Sequence, residues 1–493
     1  MLFSLQPGID KRDTADIILL PYWEKGEKAK PAAASKEFDK IADPLTSLKD
    51  FSGKEGESSL IYFPGKKEKR ALLIGLGKEE KISCETLRRI YGTAAKLCQK
   101  KNFKNINLVL PNIVELRRIT LEECLKGICE GILLVNYKWS QKSTKSPESL
   151  IEHVTLLGVL PKVAPEINDL VQIAEGVYLA RDLINGNADL VTPAYLVNAA
   201  KKLSQRFPAI KTTHLSKKEL EKEKFGLLLA VGRGSSHDPA LICMEYQGNP
   251  KSKEKVALIG KGITYDTGGL NIKPAVSMET MRDDMSGGAT VLATLGAIAA
   301  LNLKVNVVGV IPSAENAVDG NSYKTGDVYT SYSGKTVEIK DTDAEGRLVL
   351  ADALSYTVKQ FKPTQMIDLA TLTGSVIVAL GDSISGLYSN DDRLVDALLE
   401  SSQRTSELLW RLPLHQPYKE TLKSDIADLK NVGGRHGGSI IAALFLEEFV
   451  ANTPWAHLDI AGVAFSSKEQ SYLPKNGIGF GVRLLVDFFK RHK

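Results

Sequence analysis

Charged side chains are concentrated in three short segments of the chain, KGITYDTGGLNIKP, MRDDMSGG and KDTDAEGRL. Carboxylates and lysines are residue types that bind divalent metals or stabilise developing negative charge. The charged residues singled out in these segments are Lys261, Asp266, Lys273, Asp283, Asp284, Asp341, Asp343, Glu345 and Arg347. Their density raises the question of what balances so much negative charge.

Each of these residues has an ordinary structural interpretation when it is taken singly. A carboxylate in the first turn of a helix stabilises the helix dipole by ~0.3–1 kcal/mol, so Asp284 or Asp343 alone indicates a helix cap. Lys261 or Lys273 alone indicates a solvated lysine. Arg347 does not fit, because a cation near a helix N-terminus opposes the dipole.

The four carboxylates of Asp266, Asp284, Asp343 and Glu345 have another meaning if they converge in one cleft. Buried carboxylates without partners are costly, and two divalent cations would balance their charge. Hard oxygen ligands suit Mg, Mn or Zn, and two metals ~3.5–4 Å apart can activate water and polarise a carbonyl. The pattern predicts a dinuclear site with hydrolase chemistry. None of the seven histidines lies in these segments, and no H-E-x-x-H motif is present.

Apolar strands and helices must position the three segments. The runs ALICMEY, KVALIG, KVNVVGVIP, KTVEI, MIDLA and WAHLDIAG predict strands, most of them covered on both faces. The runs ATVLATLGAIAAL, RLVLADALSYTVKQF and SIIAALFLEEFV predict helices. Ligands of open α/β sheets collect beyond the carboxyl ends of strands, so the loops there are where we expect the site.

The first third of the chain has its own alternation of strands and helices. The runs ADIILLPYW, RALLIGLG, INLVLP and VTLLGVL predict strands, with two amphipathic helices between them. The pattern breaks at residues 161–165, and a long helix is predicted from Glu166 to Leu183. We therefore predict an α/β fold of two domains, residues 1–165 and 166–493, each a mostly parallel or mixed sheet flanked by helices, joined by that helix.

Composition narrows the class of protein. The 493 residues are too many for one hydrophobic core, and 64 basic against 59 acidic residues leave a net charge of only +5. The five cysteines form no C-x-x-C pair, which favours a reducing cytoplasm. The N-terminus lacks the basic region of a signal peptide. The longest uncharged run, residues 285–302, contains glycines and threonines and is expected to form a buried helix rather than a membrane span.

Two alternative functions have weaker support in the sequence. The stretches IGLGKEE and GIGFG complete no nucleotide-binding motif, and SGKT lacks the required upstream glycine because Tyr329 stands there. Lysine-rich stretches at residues 65–70 and 99–104 are interpreted as a solvated face, although nucleic-acid binding by the N-terminal domain stays open as an alternative.

The three charged segments together resemble the leucyl (cytosol) aminopeptidase family of dinuclear metallopeptidases. The stretches NVGGRHGGSIIAALFLEEFV, WAHLDIAG and ARDLINGNADLVTPAYL are similar to the same family. The similarity extends over roughly residues 170–493, whereas the N-terminal part matches in position and α/β character only. The resemblance implies a metal-dependent hydrolase that removes the N-terminal residue, Leu or another apolar one, from peptides.

The resemblance also implies roles for individual residues. Asp266, Asp284 and Glu345 would share two ions, Zn or Mn with Mg or Co as further options, while neutral Lys261 would bind one ion and Asp343 the other. Charged Lys273 would stabilise an oxyanion. The remaining implied residues are an anion site for bicarbonate as general base and an apolar pocket: Gly346, Arg347 and Leu348, and Met281, Thr371, Leu372, Gly374 and Ala464. A homohexamer in the cytoplasm is implied as well.

Two departures from the family pattern stand out. Asp341 replaces the usual asparagine and adds a negative charge beside the metals unless Lys340 or another cation offsets it. Asp283 is an acid next to Asp284, and spacing alone favours Asp284 as the ligand.

Overall fold

The chain folds into two compact units, each described here separately. In a computed structural model, the residues described are 1–26, 28–33, 36–112, 118–139 and 149–492. The N-terminal unit comprises Met1–Ala174 and Lys468–Pro474, and the C-terminal unit comprises Glu175–Ser467 and Lys475–Lys493. The predicted two-domain α/β fold is confirmed.

A seven-stranded sheet forms the centre of the N-terminal unit. Its strands are β1 (Leu2–Gln6), β2 (Ile17–Lys25), β3 (Lys28–Pro31), β4 (Ser58–Tyr62), β5 (Arg70–Gly75), β6 (Asn105–Val109) and β7 (His153–Leu157). Its helices are α1 (Lys36–Ser47), α2 (Cys84–Lys100) and α3 (Leu121–Val135), with short 3-10 turns at Glu79–Lys81 and Pro161–Val163. Helix α4 (Ala164–Asn185) begins in this unit, and its residues from Glu175 onward belong to the C-terminal unit. The order is β1-β7-β6-β2-β5-β4, with β3 beside β2. Strand β3 pairs antiparallel with β2, and β4 pairs antiparallel with β5, whereas the other neighbouring strands of this sheet are parallel. This matches the predicted mostly parallel sheet.

A short segment from near the end of the chain belongs to the N-terminal unit. Its Tyr472 is buried, and the guanidinium of Arg88 lies 5.7 Å from the ring centroid of Tyr472. A Cβ at Gly92 would lie 2.8 Å from the Cβ of Tyr472, so the glycine makes room for the tyrosine. Lys96 Nζ lies 2.9 Å from Glu469 Oε2. These contacts attach the segment to helix α2.

The C-terminal unit is built on a nine-stranded mixed sheet. Its strands, with those of two small sheets, are β8 (Ile210–Leu215), β9 (Ala240–Gln247), β10 (Val256–Gly260), β11 (Gly262–Asp266), β12 (Asn306–Asn316), β13 (Val328–Thr330), β14 (Thr336–Glu338), β15 (Gln365–Ala370), β16 (Ile384–Ser389), β17 (Leu408–Arg411), β18 (Leu429–Lys430), β19 (Trp455–Asp459), β20 (Phe465–Ser466) and β21 (Asn476–Gly477). The helices are α5 (Pro193–Arg206), α6 (Lys217–Glu223), α7 (Gly226–Gly232), α8 (Ala275–Met278), α9 (Ser286–Ala300), α10 (Glu345–Phe361), α11 (Gly374–Leu380), α12 (Asp392–Thr405), α13 (Gly438–Glu447) and α14 (Val482–Arg491), with 3-10 turns at Met281–Asp283 and Gln416–Leu422.

The order of the large sheet is β17-β16-β19-β15-β10-β12-β9-β8, with β11 beside β12. Strands β10, β11, β12, β15 and β19 run parallel to one another, so their carboxyl ends meet at one edge. The predicted strands and helices of this unit are all present. The segment GITYD, which was not among the predicted strands, forms β11, since its backbone pairs with the end of β12.

Helices α9 and α10 pack against the central strands β10 and β12. The N-terminal end of α9 lies directly on the sheet, because a Cβ at Gly287 would come within 2.0 Å of the Leu369 carbonyl oxygen. The expectation that residues 285–302 form a buried helix is confirmed by α9. Among the described residues, no helix is both long and apolar enough to span a bilayer.

Candidate metal centre

The three charged segments meet where neighbouring strands end. Lys261 directly follows β10, and Asp266 is the last residue of β11. Asp284 precedes α9, whereas Asp343 and Glu345 lie at the start of α10. Lys261 Nζ lies 2.7 Å from both Asp284 Oδ1 and Glu345 Oε1. The fold therefore brings residues separated by more than 80 positions into direct contact.

Lys273 occupies the other side of the same cluster. Its Nζ lies 3.0 Å from Asp266 Oδ2 and 2.5 Å from Asp343 Oδ1. One carboxylate oxygen each from Asp266, Asp343 and Glu345 lies within 4.8 Å of the others, a spacing suited to a metal ion. The group contains no histidine or cysteine, so its oxygen donors favour hard or borderline divalent cations.

The acidic cluster has more negative charge than its lysines balance. Asp284 Oδ2 and Glu345 Oε2 are buried and lack a hydrogen-bond partner within the described part of the chain. Burial raises the pKa of Asp284, and the carboxylate of Asp266 raises it further. Burial, together with Asp266, raises the pKa of Glu345 to about 7. Unpartnered buried oxygens beside like charges fit the binding of additional cations.

The surroundings of the two lysines differ in accessibility. Burial lowers the pKa of Lys261, but the carboxylates of Asp284 and Glu345 outweigh it, so the pKa rises above its usual value. Lys273 is less buried, and Asp266 likewise raises its pKa against the effect of burial. Among protein groups alone both lysines are therefore ammonium ions. A metal ion beside Lys261 would act in the opposite direction, since a cation favours the neutral amine.

The carboxylate of Asp266 is oriented by groups that the sequence pattern did not reveal. Its Oδ1 accepts hydrogen bonds of 2.8 Å from the Gly268 backbone amide and of 2.8 Å from Asn316 Nδ2. Asn316 Nδ2 also donates to the Thr342 carbonyl oxygen at 3.0 Å. Asn316 ends β12, so the rule that ligands gather at carboxyl ends of strands would have indicated it.

The structure shows the local contacts of Asp341 and distinguishes Asp284 from Asp283. Asp341 Oδ1 accepts a hydrogen bond from the Asp343 backbone amide at 2.9 Å, a bond that an asparagine oxygen could equally accept. Lys340 Nζ pairs with Glu338 at 2.7 Å instead. Asp284, rather than the neighbouring Asp283, makes the ion pair with Lys261.

Arg347 lies in the first turn of α10 and is almost completely buried, with 8% of its surface exposed. Its Nη1 donates to the Asn431 carbonyl oxygen at 2.8 Å, while its buried Nε has no hydrogen-bond partner in the described chain. Burial lowers its pKa to about 10, so it stays charged at neutral pH. Gly346 and Leu348 flank it in the first turn of α10, where backbone amides lack intrahelical acceptors. This corner can therefore bind an anion.

The loop after β15 contacts the cluster directly. The Thr371 carbonyl oxygen accepts a hydrogen bond from Lys261 Nζ at 3.0 Å, and Thr371 Oγ1 donates to Asp284 Oδ1 at 2.8 Å. Asp459 Oδ1 accepts a hydrogen bond from the Leu372 amide at 3.2 Å and so helps to hold this loop.

The other predicted pocket residues lie in three separate elements. Met281 begins the 3-10 turn that precedes Asp284 and is half-buried. Gly374 begins α11 and is exposed, with nothing within 4 Å of the position of a Cβ. Ala464 is buried directly before β20. Of the predicted pocket residues, Thr371 is the one described with hydrogen bonds to the charged side chains of the cluster.

The sequence matches models of one protein family along most of its length. The model described as the cytosol aminopeptidase family, catalytic domain, matches residues 178–486, and the N-terminal domain of that family matches residues 19–146. A probable cytosol aminopeptidase from Protochlamydia amoebophila is 49% identical over 496 residues, covering 100% of this chain and 99% of that protein. Its counterpart from Chlamydia felis is 49% identical over 498 residues, with the same shares covered.

Solved structures give the same result. A mutant of tomato leucine aminopeptidase has a TM-score of 0.88 at 31% identity, covering 99% of this chain and 96% of that chain. The bottromycin maturation enzyme BotP has a TM-score of 0.85 at 31% identity, covering 97% of this chain and 99% of that chain, and is also known in complex with Mn. The chain therefore belongs to the cytosol aminopeptidase family and is a metal-dependent hydrolase that removes N-terminal residues from peptides.

Proposed function

We propose that the acidic cluster holds two divalent metal ions, Zn or Mn with Mg or Co as alternatives. The supporting observation is the pair of buried oxygens without partners, Asp284 Oδ2 and Glu345 Oε2, in a cluster of four carboxylates and two lysines. When bound, such ions supply Lewis acidity, which lowers the pKa of a water molecule and polarises a carbonyl group. The Mn complex of BotP is consistent with this proposal but concerns that protein.

Some residues of the cluster are proposed metal ligands, and others orient those ligands by hydrogen bonds. Asp266, Asp284 and Glu345 would hold both ions, and Lys261 and Asp343 would each be a ligand of one ion. Lys261 must lose its proton to act as a ligand. The nearby carboxylates favour its charged form, whereas a bound cation would favour the neutral amine. The hydrogen bonds to Asp266 and Asp284 fix the direction of the carboxylates before any ion arrives.

Lys273 and Arg347 act on charge and on the proton. Lys273 remains an ammonium ion and stabilises the oxyanion that forms when the peptide carbonyl is attacked. Arg347, with the backbone around Gly346 and Leu348, would hold a bicarbonate ion, which would supply a general base for the attacking water. The support for this role is the buried Nε of Arg347, which has no protein partner in the described chain.

The substrate is a peptide with a free N-terminal amine and an apolar first residue, Leu above all. Met281, Thr371, Leu372, Gly374 and Ala464 line its side-chain pocket in this proposal. Only a terminal residue offers an amine beside the scissile carbonyl, which restricts cleavage to the first bond. Rates on a panel of aminoacyl p-nitroanilides test the preference; faster turnover of acidic than of apolar substrates would contradict it.

We further infer a cytoplasmic homohexamer. All five cysteines, which lie in the described chain, are free, as expected in a reducing compartment, and the name of the relatives points to the cytosol. Sedimentation equilibrium tests the assembly: a species of about six times the 53.8 kDa chain mass is expected, and a monomer at micromolar concentration would contradict it.

The central experiment replaces one proposed ligand without changing its size. Glu345→Gln removes the charge that Lys261 and a metal ion would share, so we expect loss of at least one metal per chain and of leucyl-p-nitroanilide hydrolysis. Metal content is measured by mass spectrometry after dialysis against Zn or Mn. Glu448→Gln is the matched control, because the partly buried Glu448 also pairs with lysines, Lys335 and Lys419, but is not a proposed ligand. Full metal content in Glu345→Gln would reject the assignment.

A further inference from the structure

We propose that Asn431 is a positioning residue that couples the metal-ligand loop to Arg347. Asn431 directly follows β18, the short strand that pairs with β14. Its polar side chain is completely buried. Its side chain hydrogen-bonds to the backbone of the loop that leads to Asp343, and its backbone carbonyl accepts a hydrogen bond from Arg347. Among the described residues, no other has hydrogen bonds to both.

The side-chain amide of Asn431 holds the backbone that leads to Asp343. Its Oδ1 accepts hydrogen bonds from the Lys340 amide at 2.8 Å and from the Asp341 amide at 3.3 Å. Its Nδ2 donates to the Asp341 carbonyl oxygen at 2.6 Å. Because oxygen and nitrogen each meet a group of opposite role, the orientation of the amide is defined. Asp341 Oδ1 then holds the Asp343 amide, so the loop is fixed up to that carboxylate.

The backbone of Asn431 holds Arg347. Its carbonyl oxygen accepts the 2.8 Å hydrogen bond from Arg347 Nη1, and its own amide donates to the Glu338 carbonyl oxygen at 3.0 Å. The next residues include Gly433 and Gly434, the latter with φ of +104°, so the chain beyond Asn431 gains little stiffness from its own side chains. The side-chain bonds of Asn431 therefore fix the carbonyl to which Arg347 is bound.

This arrangement joins two parts of the chemistry through one uncharged residue. The loop of Asp343 and the guanidinium of Arg347 have to keep a constant separation if an anion on Arg347 is to reach the attacking water. The inference rests on the role proposed above for Arg347. A displacement of about 1 Å from productive geometry can reduce a rate roughly 100-fold.

The test is a double-mutant cycle in the full chain with Asn431→Ala and Arg347→Ala. With saturating Zn or Mn, we expect Asn431→Ala to lower kcat by roughly 10- to 100-fold while KM for leucyl-p-nitroanilide changes little. In the Arg347→Ala background the same substitution should lower kcat much less, because the guanidinium it positions is gone. Binding of Mn to the metal-free variant, measured by competition with a chelator, should be weaker than in wild type.

Asn306→Ala is the matched control. Asn306 is also a buried asparagine, and its side-chain amide donates hydrogen bonds to the backbone carbonyl oxygens of Asn249 and Glu254. It lies at the start of β12, whereas the proposed site lies at the carboxyl ends of the strands. We expect it to lower stability and leave kcat unchanged. A folded Asn431→Ala enzyme with normal kcat, or an equal loss in both Arg347 backgrounds, would overturn the proposal. An Arg347→Ala enzyme with normal kcat would instead reject the proposed role of Arg347.

Asn431→Ser is a second variant in case the alanine variant does not fold, because the hydroxyl retains one hydrogen bond to the loop. We expect it to show the same loss of kcat to a smaller extent. If neither variant folds, Asn431 serves the fold rather than the geometry of the site, and the proposal is rejected.

Discussion

Two lysines of the site have the same chemistry but different surroundings. Lys261 is enclosed by Asp284 and Glu345, whereas Lys273 is partly accessible beside Asp266 and Asp343. Of the two, only Lys273 is accessible enough to meet a substrate. The difference supports separate roles, one as a metal ligand and the other as a charge that meets the substrate.

Lys273→Ala should lower kcat by roughly 100-fold or more, the effect of removing one preorganised oxyanion donor. Its removal also takes a positive charge away from Asp266 and Asp343, so both metals should be retained or bound more tightly. Steady-state kinetics and metal analysis on the same sample separate the two effects. Lys423→Ala, an exposed lysine paired with Glu420, serves as control. Unchanged turnover in Lys273→Ala would remove it from the mechanism.

The charged residues of the cluster could be predicted from the sequence more readily than its uncharged ones. Four carboxylates in three short segments exceed what helix capping needs, so their convergence could be inferred before the fold was known. Asn431 gives no such signal, since a single asparagine is as suitable for a turn as for a buried bridge, and Asn316 is indicated only by its place at the end of a strand. Their function depends on contacts across tens of residues, which no local pattern encodes.

At the level of elements, the position of α9 determines where Asp284 lies. Gly287→Ala should be destabilising by ~1–3 kcal/mol, because the new methyl group would overlap the Leu369 carbonyl oxygen, 2.0 Å away. The shift of the helix should also weaken metal binding. Urea unfolding and metal titration measure the two effects. Gly320→Ala is the control, since nothing lies within 4 Å of its Cβ position; equal behaviour of both variants would contradict this view of α9.

Asp352 connects α10 to the start of α7. Its Oδ2 accepts hydrogen bonds from the Leu227 and Leu228 amides at 2.9 and 3.0 Å, and its Oδ1 accepts one from the Tyr332 amide at 2.7 Å. Burial nevertheless raises its pKa to about 7. The folded protein thus binds this proton more tightly than the unfolded chain, whose aspartates have a pKa of ~3.9.

The sign of the resulting pH dependence follows from linkage. The stability that protonated Asp352 contributes is complete below pH ~3.9 and is lost as the pH rises to about 7. The total is on the order of 4 kcal/mol. Relative to Asp352→Asn, the metal-free wild type should therefore lose stability between about pH 4 and 7 in urea unfolding. Parallel pH profiles for the two proteins would show that Asp352 does not titrate in this range.

At the level of the whole molecule, the N-terminal unit depends on Tyr472. Tyr472→Ala should destabilise that unit by ~3 kcal/mol, because it opens a cavity beside Arg88 and Gly92. Hydrogen exchange should become faster in α2 and stay unchanged in β10. Tyr62→Ala, at a position with 67% of its surface exposed, is the control. Unchanged exchange in α2 would show that Tyr472 contributes little there.

The two-domain α/β architecture was predictable because buried parallel strands are continuously apolar, as in KVALIG and MIDLA. The assignment of Lys468–Pro474 to the N-terminal unit was not, because seven mostly polar residues contain no information about their distant neighbours. Strand β11 was missed for a related reason: its pairing with β12 is specified by tertiary contact and not by its glycine-flanked sequence.

The returning segment has a consequence for how such an enzyme can be divided or recombined. The chain passes from one unit to the other at residue 174, again at 467 and once more at 474. In a hybrid that joins the first 174 residues of one family member to the remainder of another, the residue at position 472 would come from one protein. The residues it contacts, at positions 88 and 92, would come from the other. Exchange of the N-terminal unit between relatives therefore requires two grafts in the gene rather than a single crossover.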